Sequence, residues 1–226
     1  MAKTNEQKSS LNVDDALNNS QAFFLRHQRG LLYVIAAIII FIAGLILYEN
    51  YVAAPREDKA STILAKGQEY FDGGAFDKAL NGDGAGFPGF TRVASDYSST
   101  KAGNLANLYS GLCYAQMGKW QDAVKYLDEF DGSSDQMISP AAEGALGNAY
   151  AHVNQLDKAV KYLKKAAKDA DNNSLSPTFL IQAGEILESQ GKKDDALVLY
   201  KEIKQKYFNS MQYQEIDKYI ERASIK

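Results

Sequence analysis

One spacing recurs four times in this chain and decides most of what it can fold into. Tyr70, Tyr114, Tyr150 and Leu187 superpose as the anchor of each copy. Three positions earlier stands a glycine: Gly67, Gly111, Gly147 and Gly184. Four positions later stands a turn residue: Gly74, Gly118, Asn154 and Gly191. Nine positions later stands an alanine: Ala79, Ala123, Ala159 and Ala196. Between turn and alanine, Phe76, Trp120 and Leu156 can pack, and Lys193 is the exception. A glycine on a helix face lets a neighbouring helix approach. The turn residue ends the helix in a left-handed conformation. The alanine lets a second helix lie against the first. Each copy therefore reads as a helix–turn–helix hairpin that cannot bury its apolar face alone and must stack on its neighbours.

The segments GLCYAQMGKWQDAVKYL and LGNAYAHVNQLDKAVKYLKKA resemble the tetratricopeptide repeat, a hairpin of about 34 residues. The resemblance covers roughly residues 60–208, with irregular intervals of 44, 36 and 37 residues. The expected fold is all-α: an N-terminal transmembrane helix, then a TPR-like α-solenoid of about four hairpins and a C-terminal capping helix. Ser139-Pro140 and Ser176-Pro177 read as N-cap and first helical residue. In the repeat family the inward positions lie six and two residues before the tyrosine and one and two after it. The resemblance thus implies a partner-binding groove lined by Leu64, Gln68, Phe71 and Asp72, then Leu108, Leu112, Ala115 and Gln116. It continues through Gly144, Asn148, Ala151 and His152 to Ile181, Glu185, Glu188 and Ser189. Some of these positions serve, on the blander reading, as packing between hairpins. The lysines of the carboxylate-clamp subclass are absent there.

Residues 81–90, NGDGAGFPGF, are inserted in the first copy. An EF-hand loop needs a glutamate at its twelfth position, and counting from Asn81 that position is Arg92. No P-loop lysine follows. The stretch reads as a flexible break between two helix halves, with Phe87 and Phe90 folding back on the first hairpin. At the other end, Tyr213, Ile216, Tyr219 and Ile220 fall on one helix face, as a solenoid cap requires.

Residues Leu31 to Tyr48 form 18 positions without a charge, Asn, Gln or Pro. As a helix they reach about 27 Å, close to the roughly 30 Å hydrocarbon core of a bilayer. Leu31, Ile35, Ile39, Ile42 and Ile46 mark this anchor in the lipid bilayer. Tyr33, Tyr48 and Tyr51 sit where aromatic belts lie. The 30-residue leader is too long for a signal-peptide n-region, and Pro55 follows the small residues Val52-Ala53-Ala54, so the segment reads as an uncleaved anchor. Arg26 and Arg29 lie close before it, which puts the N-terminus in the cytoplasm and the rest outside. Val13, Ala16, Leu17 and Phe24 suggest a short amphipathic turn in the leader, and Phe23, Phe24 and Leu25 an interfacial contact. A partly disordered tail is the equal alternative.

Composition closes other routes. Lys plus Arg is 25 and Asp plus Glu 28, which lacks the basic excess of a nucleic-acid binder. One cysteine and two histidines leave no disulfide framework and no metal or His-dependent catalytic constellation. Cys113 reads as a buried small hydrophobe. Asp194 and Asp195 sit at a helix start, where they complement the dipole. No cofactor, small-molecule substrate or enzymatic activity is expected.

The whole plan resembles the YfgM type of membrane-anchored repeat protein, in a form like that of Bacteroidota, on FDKALNGDGAGFPGFTRVASDYSSTKAGNLANLYSGLCYAQMGKWQDAVKYL. That resemblance implies an inner-membrane, single-pass accessory subunit of the Sec translocon. Its partners would be Sec channel subunits and a membrane-anchored prolyl-isomerase-like periplasmic chaperone. The expected organisation is a cytoplasmic leader over 1–30, the anchor over 31–48, a juxtamembrane linker over 49–59 and a periplasmic TPR-like domain over 60–226. Its hairpins are expected near 60–96, 101–130, 140–170 and 177–208, with the cap over 211–224. The alternative is an envelope assembly scaffold for cell-wall, secretion or cytochrome maturation machinery unrelated to Sec.

Overall fold

A computed structural model describes residues 13–132 and 136–225, with side chains from His27 onward. The chain divides into two compact units, Met1–Pro55 and Arg56–Lys226. Among the described residues 79% are helical and none forms a strand.

The first unit holds α1 (Val13–Tyr48), followed by a π-helical turn over Glu49–Ala53. Its most apolar 18-residue window has a mean hydropathy of 2.9 and is 0% buried. A core helix of a globular protein would bury such a face. This helix is therefore long and apolar enough to cross a membrane. Ile35, Ile39, Ile42 and Ile46 are exposed and Leu31 is half-buried. The helix begins well before Leu31, at Val13. The leader's apolar side chains, Val13, Ala16, Leu17, Phe23, Phe24 and Leu25, lie outside the described residues. Residues 49–59, expected as a juxtamembrane linker, are helical. Pro55 lies at the start of α2 (Ala54–Asp72), directly after the π-helical turn, in which the Ala54 N–H donates to the Glu49 carbonyl.

The second unit continues with α3 (Phe76–Asn81), α4 (Phe90–Asp96), α5 (Lys101–Gln116) and α6 (Trp120–Asp128). Then come α7 (Ile138–His152), α8 (Leu156–Ala170), α9 (Ser176–Ser189) and α10 (Lys193–Lys206). A 3₁₀ turn over Met211–Gln214 leads to α11 (Ile216–Ser224). The four turns are the same object. Gly74, Gly118, Asn154 and Gly191 have φ of 71°, 73°, 60° and 75°. In each, the next residue donates its N–H back to the anchor carbonyl: Ala75 to Tyr70, Lys119 to Tyr114, Gln155 to Tyr150 and Lys192 to Leu187, at 2.8–2.9 Å. The left-handed residue donates to the position after the anchor. This is the Schellman pairing, which satisfies the last carbonyls of the first helix.

The small residues do the packing expected of them. Ala79, Ala123, Ala159 and Ala196 are all 0% exposed. A Cβ on Gly111 would lie 2.5 Å from Leu127 Cγ, and one on Gly147 2.8 Å from Leu163 Cγ. At Gly184 it would overlap the Tyr200 ring. Gly67 departs from the pattern, because it faces Phe87 and Phe90 rather than α3. In the first copy the second helix is split, and the insertion and α4 supply its far half.

The insertion is not a flexible break. Asp83 fixes it: its carboxylate accepts the N–H of Ala85 at 2.8 Å and of Phe87 at 2.9 Å, and the Tyr70 hydroxyl at 2.8 Å. Lys66 Nζ lies 2.7 Å from it, and the Asp83 side chain is 7% exposed. Phe87 and Phe90 fold back on the first hairpin as expected, and both are buried.

Two helix starts differ from expectation. Ser139 and Pro140 stand inside the first turn of α7, which is preceded by Met137. Ser176 is the first residue of α9, not its cap. There Asn172 does the capping, its Oδ1 accepting from the N–H of Ser174 and Leu175 at 2.9 Å, while the Ser176 hydroxyl accepts from the Asn172 N–H. Proline is tolerated anywhere in a first turn, so Ser-Pro alone does not fix which residue caps. Tyr213 lies in the 3₁₀ turn and is exposed, so the cap's apolar face is carried by Ile216, Tyr219, Ile220 and Ala223.

Three apolar clusters form the core, and all their buried residues lie between Ala60 and Ala223. Arg56–Lys226 thus contains the whole of this core, with no buried residue of the three clusters drawn from the first unit.

Candidate functional site

The first helices of the hairpins, α2, α5, α7 and α9, carry the sixteen positions expected to line a groove. The structure sorts them. Leu64 and Leu108 are buried in the clusters. Gly144 is covered by the Phe179 ring of α9. Gln68 donates to the Tyr109 hydroxyl at 2.8 Å, and Phe71 packs edge-on against Phe76 and Tyr109. His152 is exposed on one side and stacks on Trp120 on the other, with ring centroids 3.6 Å apart. Ser189 donates to the Ile186 carbonyl.

Glu188 is held by the cap. Arg222 donates to both its oxygens at 2.8 and 2.9 Å, and the Tyr200 hydroxyl donates at 2.6 Å. These donors keep the Glu188 carboxyl below its usual range, with Arg222 the larger cause. Burial pushes the Tyr200 phenol upward, with help from the same carboxylate. Glu185 lies 3.9 Å from Arg222. Asp72 and Gln116 are exposed, and Leu112, Ala115, Asn148, Ala151 and Ile181 are half-buried.

Within this face one cleft stands out. It lies between α5 and α7, holds about 310 Å³ and is lined by Leu105, Leu108, Tyr109, Leu112, Met137, Ile138, Ala141 and Ala142. Met137 and Ile138 are 59% and 49% exposed. Of these lining residues, Leu108 and Leu112 were expected from the repeat offsets. Leu105, Tyr109, Met137, Ile138, Ala141 and Ala142 were missed, although Leu105, Leu108 and Leu112 form a helical i, i+3, i+7 stripe that signals one face. A second cleft joins Ile181 to Met211, Gln212 and Tyr219.

The cleft's walls are fixed from below. The α5 N-terminus is capped twice: Thr100 Oγ1 accepts from Gly103 N–H at 2.9 Å, and the Glu57 carboxylate accepts from Lys101 and Ala102 N–H at 2.6 and 3.0 Å. The second contact joins residues more than forty apart and has no sequence signature. In the first turn of the same helix, Asn104 and Asp131 exchange side-chain and backbone hydrogen bonds. Cys113 on α5 is 0% exposed, and burial pushes its thiol up to about 12. No group of three or more metal-ligating side chains occurs among the described residues. The arrangement offers apolar surface on a rigid helical frame. That is the equipment of a binding surface.

These features define an α-solenoid of TPR-like hairpins preceded by a helix apolar enough to span a membrane. Residues 85–215, more than half of the chain, match the family described as T7SS, ESX-1 secretion system protein EccA1, N-terminal domain. The chain belongs to this family. Its fold is similar to that of a Podosopora anserina protein described as a kinesin light chain with nearly identical TPR-like repeats, at 14% identity and a TM-score of 0.57. That match covers 74% of this chain and 86% of the other. A single-substitution variant of the same protein gives the same score. None of the curated proteins matches the chain.

Proposed function

We propose that this protein is a membrane-anchored scaffold that holds an apolar segment of a partner protein in the cleft between α5 and α7. The observation that carries the proposal is the exposed apolar lining of that cleft, with Met137 and Ile138 lining it together with Leu112. Leaving such side chains in water is unfavourable by roughly 25 cal/mol per Å², which a partner's apolar side chains recover on docking. In this reading α1 anchors the chain in a bacterial inner membrane, with the solenoid in the periplasm. The partners are Sec channel subunits and a membrane-anchored prolyl-isomerase-like chaperone, and the scaffold links emerging secreted chains to that chaperone. The plan of short leader, one anchor and degenerate repeats supports this.

One observation favours the second reading, an envelope assembly or secretion scaffold unrelated to Sec. The family's description names an ESX-1 secretion system protein. The two are separated by photo-crosslinking in intact membranes, with a photoreactive residue at Ile39 in one variant and at Leu112 in another. Sec channel subunits at Ile39 and a periplasmic chaperone at Leu112 support the translocon role. Components of another secretion or assembly machine at both sites, with no channel subunit, refute it in favour of the second.

A further inference from the structure

The second helix of the third hairpin has an unusual outer face. α8 buries Ala159, Leu163, Ala166, Ala167 and Ala170. Opposite them stand Lys158, Lys161, Lys164, Lys165 and Lys168, which at helical spacing share one side. The nearby carboxylates are already engaged. Asp157 accepts from Gln190 and Lys192, and Asp169 and Glu143 both bind Lys165. Lys158 lies over the Tyr150 ring. Lys161, Lys164 and Lys168 are exposed, and among the described residues none of the three has a salt bridge. They run along the crest of α8 over about 10 Å. Lys201 is exposed on the adjacent α10, and the shallow groove beside Lys164 and Lys168 is lined by two acids, Asp169, which Lys165 engages, and half-buried Glu202.

From this we infer that the α8 crest is an electrostatic contact for anionic phospholipid headgroups, a second membrane attachment separate from α1. The charge pattern selects a flat anionic surface. The three ammonium groups project from an exposed helix, and the groove that Lys164 and Lys168 border is shallow and carries the carboxylates of Asp169 and Glu202, so it does not enclose one anionic ligand. They are lysines, which act as point charges and lack the planar fork that arginine uses for stereospecific carboxylate or phosphate recognition. Basic side chains at a bilayer surface contribute about 1 kcal/mol each, which acts only within about a Debye length. That modest attraction suffices for a domain whose own chain carries a membrane-crossing helix, because tethering raises the local concentration. The crest is on the opposite helix series from the cleft, so lipid contact leaves the cleft open.

The test uses Arg56–Lys226, which contains the whole of the core and lacks α1, so its outcome does not depend on the anchor. Co-sedimentation compares vesicles of phosphatidylcholine alone with vesicles containing about one-third phosphatidylglycerol at low salt. The fragment should partition onto the anionic vesicles and be released by salt. The triple variant Lys161→Gln, Lys164→Gln, Lys168→Gln should lose about a hundredfold in partitioning, at about fivefold per lysine. The charge-matched variant Lys59→Gln, Lys78→Gln, Lys101→Gln, on exposed lysines elsewhere, should lose less than about tenfold. Arginine at the three crest positions should retain binding. Equal binding to neutral and anionic vesicles, equal losses in the two glutamine triples, or loss in the arginine triple would overturn the inference. So would capture of an acidic protein in place of lipid when anionic vesicles compete with a membrane extract.

Discussion

Gly144 distinguishes a groove position from a packing position, and the structure predicts which it is. A Cβ placed on it would lie 2.6 Å from Phe179 Cζ and 2.9 Å from Cδ1. Phe179 is only 7% exposed and sits among Leu163, Leu180 and Ala183, so its ring has little room to withdraw. Overpacking of this kind costs about 1–3 kcal/mol. Alanine recovers about 1 kcal/mol of helix propensity over glycine. The expected net result of Gly144→Ala is a loss of up to about 2 kcal/mol, a fall in Tm of up to roughly 8 °C for a domain of this size. Phe179→Leu trims the ring, and in that background the same alanine should stabilise by up to about 1 kcal/mol. The coupling between the two sites would then be about 1–3 kcal/mol, within the range for residues in direct contact. Urea denaturation of Arg56–Lys226, followed by circular dichroism across the four-variant cycle, measures it. A solvent-facing Gly144 has only the propensity term. Stabilisation by Gly144→Ala with Phe179 intact, or a penalty that persists in the Phe179→Leu background, would refute the packing assignment.

Three more outcomes are expected. The Asp83 carboxyl is held below its usual range, first by the Lys66 ammonium and then by the Phe87 and Ala85 amides, so its contribution is complete above the ordinary aspartate pKa of about 3.9 and fades as pH falls below it; Asp83→Asn should speed hydrogen exchange at Ala85 and Phe87 at neutral pH, and unchanged exchange would count against the hub. Gly191→Ala should destabilise by roughly 1–2 kcal/mol because φ is 75°, whereas Asn154→Gly should be neutral or stabilising; thermal melts that rank them the other way contradict the shared turn geometry. Cys113 should resist alkylation at pH 8 in the native state and react once urea unfolds the domain, which mass spectrometry follows; prompt native labelling would contradict its burial.

What was legible in the sequence was whatever repeats. The anchor, turn and alanine positions recur at fixed offsets because each hairpin solves the same local problem: ending a helix, turning back and packing closely. Gly74 and Gly191 lie over a hundred residues apart and adopt φ within a few degrees of each other. What escaped was whatever occurs once. Asp83 reaches back to Lys66 and Tyr70, and that contact turns a glycine-rich insertion into an ordered half-hairpin. Nothing in NGDGAGFPGF specifies those partners. Glu57 caps α5 across the fold, a pairing that depends on how α2 lies against it. The cleft was partly visible: offsets from the tyrosine located Leu108 and Leu112, while Leu105 and Tyr109 belong to the same stripe outside those offsets. Glu188 was placed on the groove by the same offsets, yet the cap helix holds it through Arg222, because a terminal repeat packs against a different neighbour than an internal one.

The tie at the start of α2 has a mechanical meaning. Arg56 donates to the Asp96 carbonyl at 2.5 Å and lies over the Tyr97 ring, and Glu57 grips the first amides of α5. Any tension arriving through the preceding residues enters the solenoid at this turn. It meets bonds to the end of α4 and the beginning of α5 before it reaches the body of α2. The load is therefore shared in shear between two hairpins rather than peeling the first helix from its end.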